Sequence, residues 1–227
     1  MFIDEFYEEG FYQKLGTNYR SNFLFGQFFY THAYYPHENL ELWRPIPDPN
    51  EPTKTYASSF KLVTAGKDAF NKSIPLAIPK LETNEEFIVV RAKRRPVMLI
   101  MPPLNIGSVH TSGYKGRVQR RRCLVAQVFG LADVSTGRAE FSPSFVDRVR
   151  TMEFPQLMFL PKHHGLFEVD SLLRLDECQS VFVPHLEPLQ YTISSELETI
   201  IRGQLQYLFV NNYGGDYAEL RELMLNT

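Results

Sequence analysis

Cysteine and tryptophan are nearly absent from this chain of 227 residues, which carries two Cys and one Trp. Cys123 and Cys178 are too few for a zinc tetrad or a disulfide framework, and each sits in an apolar run, so both read as buried free thiols. Charge of one sign is lacking too. The formal net charge is only −2, so any binding of nucleic acid has to come from local clustering of cations and not from a global field. No uninterrupted run of about 18 apolar residues occurs, which excludes a membrane-spanning helix within this sequence. The opening residues, Met1-Phe2-Ile3-Asp4-Glu5-Phe6-Tyr7-Glu8-Glu9, are acidic where a signal peptide is basic, so the expectation is a cytoplasmic protein with no membrane partner. Internal repeats and low-complexity tracts are missing as well.

What is present is an ordinary globular composition, 44% hydrophobic and 22% charged, long enough to bury one sizeable core or two small ones. Residues 1–20 place Phe2, Phe6, Tyr7, Phe11 and Tyr12 at helical spacing before Gly16, which predicts an N-terminal helical arm. Gly26 to Thr31 reads as a first core strand. Pro36, Pro45, Pro47, Pro49 and Pro52 then break the pattern, so the stretch of about 36–84 is expected to be an insertion loop, held down by Trp43. Strand signals return at 86–91, 96–101, 123–129, 146–152, 156–160 and 171–176, with a second insertion at 102–122. Several short strands without interleaved helices argue for a mainly β fold, an antiparallel barrel or sandwich. Leu197, Ile200, Ile201, Leu205 and Leu208 then fall at helical spacing behind a Ser195/Glu198 capping box, so one helix should pack on the sheet. Residues 211–227, after a break at Gly214-Gly215, predict a last short helix.

The chemistry concentrates at a few positions. Arg94-Arg95-Pro96 runs straight into Val97-Met98-Leu99-Ile100, and Pro96 holds Arg95 in extended geometry at the mouth of a strand. A guanidinium anchored there is a planar, permanently charged fork suited to phosphate. In Leu173-Arg174-Leu175-Asp176 the alternation of a strand puts Arg174 and Asp176 on one face. If that face meets Arg95, two cations and a carboxylate form a minimal kit for cleaving RNA without a metal. Asp176 would take the proton of the ribose 2′-hydroxyl, and Arg95 and Arg174 would hold the phosphate as charge builds on it. Lys115, Arg117, Arg120, Arg121 and Arg122, with no acid among them, would guide the phosphates together with Arg94, and Tyr114 would stack a base. Six histidines show no ligand spacing, and the adjacent His163 and His164 would face opposite ways in a strand, so no metal or other cofactor is expected. Asp170 and Ser171 are expected to brace the turn that leads into the Arg174 strand.

Taken in order, these pieces resemble the MazF/PemK family of toxin ribonucleases. The residues that carry the likeness are Gly26-Gln27-Phe28-Phe29, Lys93-Arg94-Arg95-Pro96 before its apolar strand, Cys123 to Val128, the Gly165 to Ser171 turn, and Arg174-Leu175-Asp176. The resemblance implies an SH3-like or CcdB-like antiparallel barrel over residues 21–210 with a packed C-terminal helix, and catalytic roles for Arg95, Arg174 and Asp176. It also implies single-stranded RNA as substrate, a homodimer and an antitoxin partner. One departure stands out: the family carries a Thr at the end of its third matched strand, and this sequence has Phe129-Gly130. That departure points to an alternative, a barrel that binds RNA or protein without cleaving.

Overall fold

The computed structural model describes residues 1–7, 10–21, 23–34, 41–45, 50, 60–63, 88–89, 92–103 and 121–226, with 41–45, 60–63 and 88–89 described by their backbone alone. Two compact units are formed, one from Met1–Ala33 with Arg94–Thr227 and one from Tyr34–Lys93.

In the larger unit a single turn of helix, α1 (Ile3–Phe6), opens the chain, and the Glu5 carboxylate accepts from the Phe2 backbone N–H to close it. The predicted helical arm over 1–20 ends there. Strand β1 (Tyr12–Lys14) pairs with a later strand instead, because tertiary pairing overrides a weak helical spacing of aromatics. Strand β2 (Gln27–Tyr34) follows Gly26, whose φ of +77° and contact with Ile193 leave no room for a side chain.

The smaller unit contains β3 (Glu41–Pro45), β4 (Phe60–Val63) and β5 (Ile88–Val89), a three-stranded antiparallel sheet in the order β4-β3-β5. The prolines do not reduce this insertion to a loop. Pro45 ends β3 beyond the residues that pair with β5, so there the strand carries a partner on one side as an edge does, and Trp43 pairs in register with Leu62.

The chain then returns in β6 (Ala92–Met101) and continues with β7 (Arg122–Gly130), helix α2 (Pro143–Arg150), β8 (Leu157–Leu160), β9 (Ser171–Phe182), β10 (Glu187–Ile193), and the helices α3 (Ser195–Val210) and α4 (Gly215–Leu225). Seven strands form one antiparallel sheet in the order β1-β10-β2-β6-β7-β9-β8. Among the described residues this sheet is open, which corrects the expected closed barrel. Its edges do approach one another, since the Tyr12 hydroxyl on β1 donates to the Pro161 carbonyl just past β8 at 2.8 Å. A three-residue edge strand already paired to β10 makes no ladder with β8, so the approach stays a side-chain contact. The strand expected at 146–152 is helix α2, begun by Ser142, whose hydroxyl accepts from the Phe145 N–H, and by Pro143 at the first helical position.

Both faces of the central strands are covered. Phe28, Met98, Val128, Leu173 and the α3 residues Leu197 and Ile201 belong to one buried cluster, while Phe29, Val97, Leu99, Cys123 and Val125 belong to another. Neighbours in sequence fall into different clusters because a strand alternates its side chains, which explains the unbroken apolar runs. Full burial of each such side chain contributes about 1.5–3 kcal/mol. Helix α3 packs as expected, and α4 crosses it where Gly203 lies against Tyr217. None of the described helices is long and apolar enough to cross a membrane.

Candidate functional site

Strands β6, β7 and β9 lie side by side, and their register decides which cations share a face. Val97 opposes Gln127, and Gln127 in turn opposes Arg174. Residues directly opposed in antiparallel strands share a face, as do residues two apart along one strand. Arg95, Gln127, Phe129 and Arg174 therefore stand on the same side of the sheet. The Arg95 guanidinium lies over the Phe129 ring, 4.5 Å from its centre. Two strand spacings across and two residues along put the Cα atoms of Arg95 and Arg174 about 12 Å apart, with the buried Gln127 on the strand between them.

Arg174 is held by two carboxylates. Its Nε and Nη2 donate to Oδ1 and Oδ2 of Asp176, both at 2.8 Å, and Nη2 also lies 2.8 Å from Glu177 Oε1. A bulge in β9 makes this possible. Ala126 opposes Cys178 and Gln127 opposes Arg174, so Leu175, Asp176 and Glu177 are extra residues in the ladder. In a regular strand Glu177 would point to the opposite face; the bulge turns it back beside Asp176. Asp176 keeps 38% of its side chain exposed and Arg174 33%, whereas Glu177 keeps 11%, so solvent reaches the fork from the Asp176 side. The hydrogen bonds that Arg174 donates to Asp176 raise the Arg174 pKa above its ordinary value, which makes this guanidinium a fixed charge and not an acid catalyst. Glu177 was not singled out from sequence, since only the bulge brings it into the group.

The other cations are elsewhere. Arg94, one residue from Arg95, faces the opposite side, where it pairs with Glu187 and lies over the Tyr30 ring at 4.1 Å. The structure therefore does not bring Arg94 and Arg95 together, because β6 begins at Ala92 and both are strand residues with alternating directions. Arg122 stacks over Phe182 at 4.4 Å and Arg121 is exposed beside it; five residues of strand separate Arg122 from Gln127, about 17 Å. Tyr114, Lys115, Arg117 and Arg120 lie outside the described residues. Ser135 and Thr136 bond to Asp133, and those bonds, the Ser135 hydroxyl foremost, hold its carboxyl down at about 2. They brace their own turn.

On the face that carries Arg94, a cleft of about 970 Å³ is lined by Tyr30, Pro96, Lys162, His163, His164 and Glu168 among others. The two histidines come together because they occupy a tight hairpin and not a strand. The backbones of His163 and Phe167 exchange hydrogen bonds at 3.0 and 2.9 Å, and Gly165 supplies the φ of +81° that the turn requires. Asp170 ties the hairpin down by accepting from the Lys162 N–H at 2.7 Å, and Ser171 donates to the Val169 carbonyl, so both residues brace the turn as expected. The His163 ring is wedged edge-on between Tyr12 and Tyr191, and its Nδ1 is buried with no hydrogen-bond partner. Burial, with the charge of Asp170 adding, pushes the Tyr12 hydroxyl far above its ordinary range, so it stays a donor to Pro161. The signal for this cleft was the Gly directly after the His pair, which marks a turn.

No protein-family model and no curated protein matches this chain.

Proposed function

We propose that this protein is an endoribonuclease that cleaves single-stranded RNA without a metal, as its resemblance to the MazF/PemK toxins implies. The observation that carries the reading is the common face of Arg95, Arg174 and Asp176 across β7. The Arg174 fork occupies one lone pair on each Asp176 oxygen, and each oxygen keeps another with which to accept a proton. Asp176 takes the proton of the 2′-hydroxyl, and the 2′-oxygen attacks phosphorus. The bond to the 5′-oxygen breaks, and that oxygen takes a proton from water, leaving a 2′,3′-cyclic phosphate. Arg95 and Arg174 balance the charge that the phosphate gains on the way. Phe129 stands where the family has Thr and positions Arg95 through its ring instead of contacting phosphate. A homodimer neutralised by an antitoxin in the cytoplasm completes the reading.

The test is incubation of purified protein with a long mixed-sequence RNA in EDTA, followed by mapping of the new ends. Cyclic phosphate ends should appear, and Arg95→Ala and Asp176→Ala should each lower the rate by roughly 10²-fold or more with the fold intact. Unchanged cleavage by both variants would remove the assignment. A second reading, a module that binds without cleaving, is favoured by one feature: Arg174 is engaged by both Asp176 and Glu177 in the structure. It predicts no new ends at all.

A further inference from the structure

The histidine cleft lies across the sheet from the Arg174 fork, and the reaction proposed above makes no use of it. We propose that this cleft is a separate binding site for the phosphate of a nucleotide, whether or not the opposite face cuts RNA. Three observations converge on that ligand. First, Lys162 and His164 are exposed on a hairpin that is locked at the backbone, and neither has an ion-pair partner among the described residues. Anchored donors at the mouth of a cleft are what a phosphate oxygen needs, because little entropy is lost when they engage. Second, His163 lines the same cleft; its Nδ1 is sealed from solvent, so Nε2, which has no hydrogen-bond partner among the described residues, is the ring nitrogen that can meet a ligand. The ring cannot swing away to solvent, since Tyr12 and Tyr191 hold it at centroid distances of 5.1 and 5.0 Å. Third, Pro96 and the Tyr30 ring, one face of which Arg94 covers, add apolar surface to the lining of the kind that accepts a base or ribose, while the exposed Glu168 can accept from a sugar hydroxyl. A volume of about 970 Å³ accommodates a mononucleotide or a nucleotide within a strand.

The full chain, labelled with ¹⁵N, is titrated with adenosine monophosphate, adenosine, inorganic phosphate and a short single-stranded RNA while the imidazole signals of its histidines are followed by NMR. The signals of His163 and His164 should move with adenosine monophosphate and with phosphate and stay still with adenosine. Lys162→Ala combined with His164→Ala, both on the surface, should weaken the monophosphate at least about tenfold. His163→Phe keeps the packing between the two tyrosines and removes the ring nitrogens, and it should weaken binding too. Displacement of the monophosphate by the RNA assigns the phosphate to a strand; failure to displace it assigns it to a free nucleotide, and either result keeps the site. Still imidazole signals, equal shifts with adenosine, or undiminished binding by the double variant would overturn the proposal. Because the readout is binding, Arg174→Ala can abolish cleavage and leave these shifts in place, so the two ideas fail separately.

Discussion

Arg174 gives two carboxylates one partner, and a guanidinium does this in a way an ammonium does not. Its planar fork meets both Asp176 oxygens at 2.8 Å while Nη2 still reaches Glu177. Arg174→Lys keeps the charge and loses the fork, so cleavage should fall sharply while stability drops by only ~1 kcal/mol or less, as expected for a partly exposed pair. A double-mutant cycle with Asp176→Asn, read by urea unfolding and by rate, checks the split; equal effects on both would assign the fork to structure alone. The thiols offer a second test at this scale. Burial pushes both Cys123 and Cys178 up to about 11, with the Asp176 charge adding at Cys178. An unfolded thiol ionises near 8.5, so the stabilisation these groups give is complete below about pH 8.5 and is lost as pH climbs toward 11. In mildly alkaline buffer the fully buried Cys123 should be alkylated by iodoacetamide more than about tenfold slower in native than in unfolded protein, measured by mass spectrometry, and the partly buried Cys178 should be protected less. Rapid labelling of the native form would contradict the burial.

Among the elements, α3 shows how close sequence reading comes and where it slips. The capping box predicted at Ser195 and Glu198 is displaced by one residue: Ser194 is the cap, its buried hydroxyl accepts from the Leu197 N–H, and Glu198 pairs with Arg202. Ser194→Ala should therefore lower stability by ~1 kcal/mol in urea unfolding, and Ser195→Ala by less than half as much. A larger loss from Ser195→Ala would restore the predicted register. The strands β2, β7, β8 and the start of β9 were legible because sheet faces buried on both sides write continuous apolar runs into the sequence. The Ser142-Pro143 helix start was equally present in the sequence but was masked by the β-branched and apolar residues after it. Strand β10 left no such run, as Glu187, Pro188, Gln190 and Thr192 break its pattern and its pairing with β2 defines it. At the site, alternation alone put Arg174 with Asp176, and it separated Arg94 from Arg95 once the strand was known to start at Ala92. The bulge that recruits Glu177 and the hairpin that pairs the histidines depend on long-range register, which no local pattern encodes.

For the molecule as a whole, a net charge of −2 means that the proposed RNA substrate would be held only by the cations that meet it locally, and the salt dependence of binding would count them. Each phosphate neutralised on a single strand contributes a slope of about −0.7 in log affinity against log salt. If Arg95 and Arg174 alone make the contact, the slope should be about −1.5. If Lys115, Arg117, Arg120, Arg121 and Arg122 join them, seven contacts give a slope of about −5, and RNA spans from the fork to the far end of β7. Arg122 is already stacked on Phe182 and about 17 Å from Gln127, so this residue adds little to the slope of a strand held at the fork. Fluorescence anisotropy with a 2′-O-methylated strand, which lacks the attacking hydroxyl and stays whole, measures the slope directly. A shallow slope that flattens further in Arg95→Ala places the strand on the common face of β6, β7 and β9. A steep slope that Arg95→Ala leaves unchanged moves RNA recognition to the basic segment and separates it from the fork.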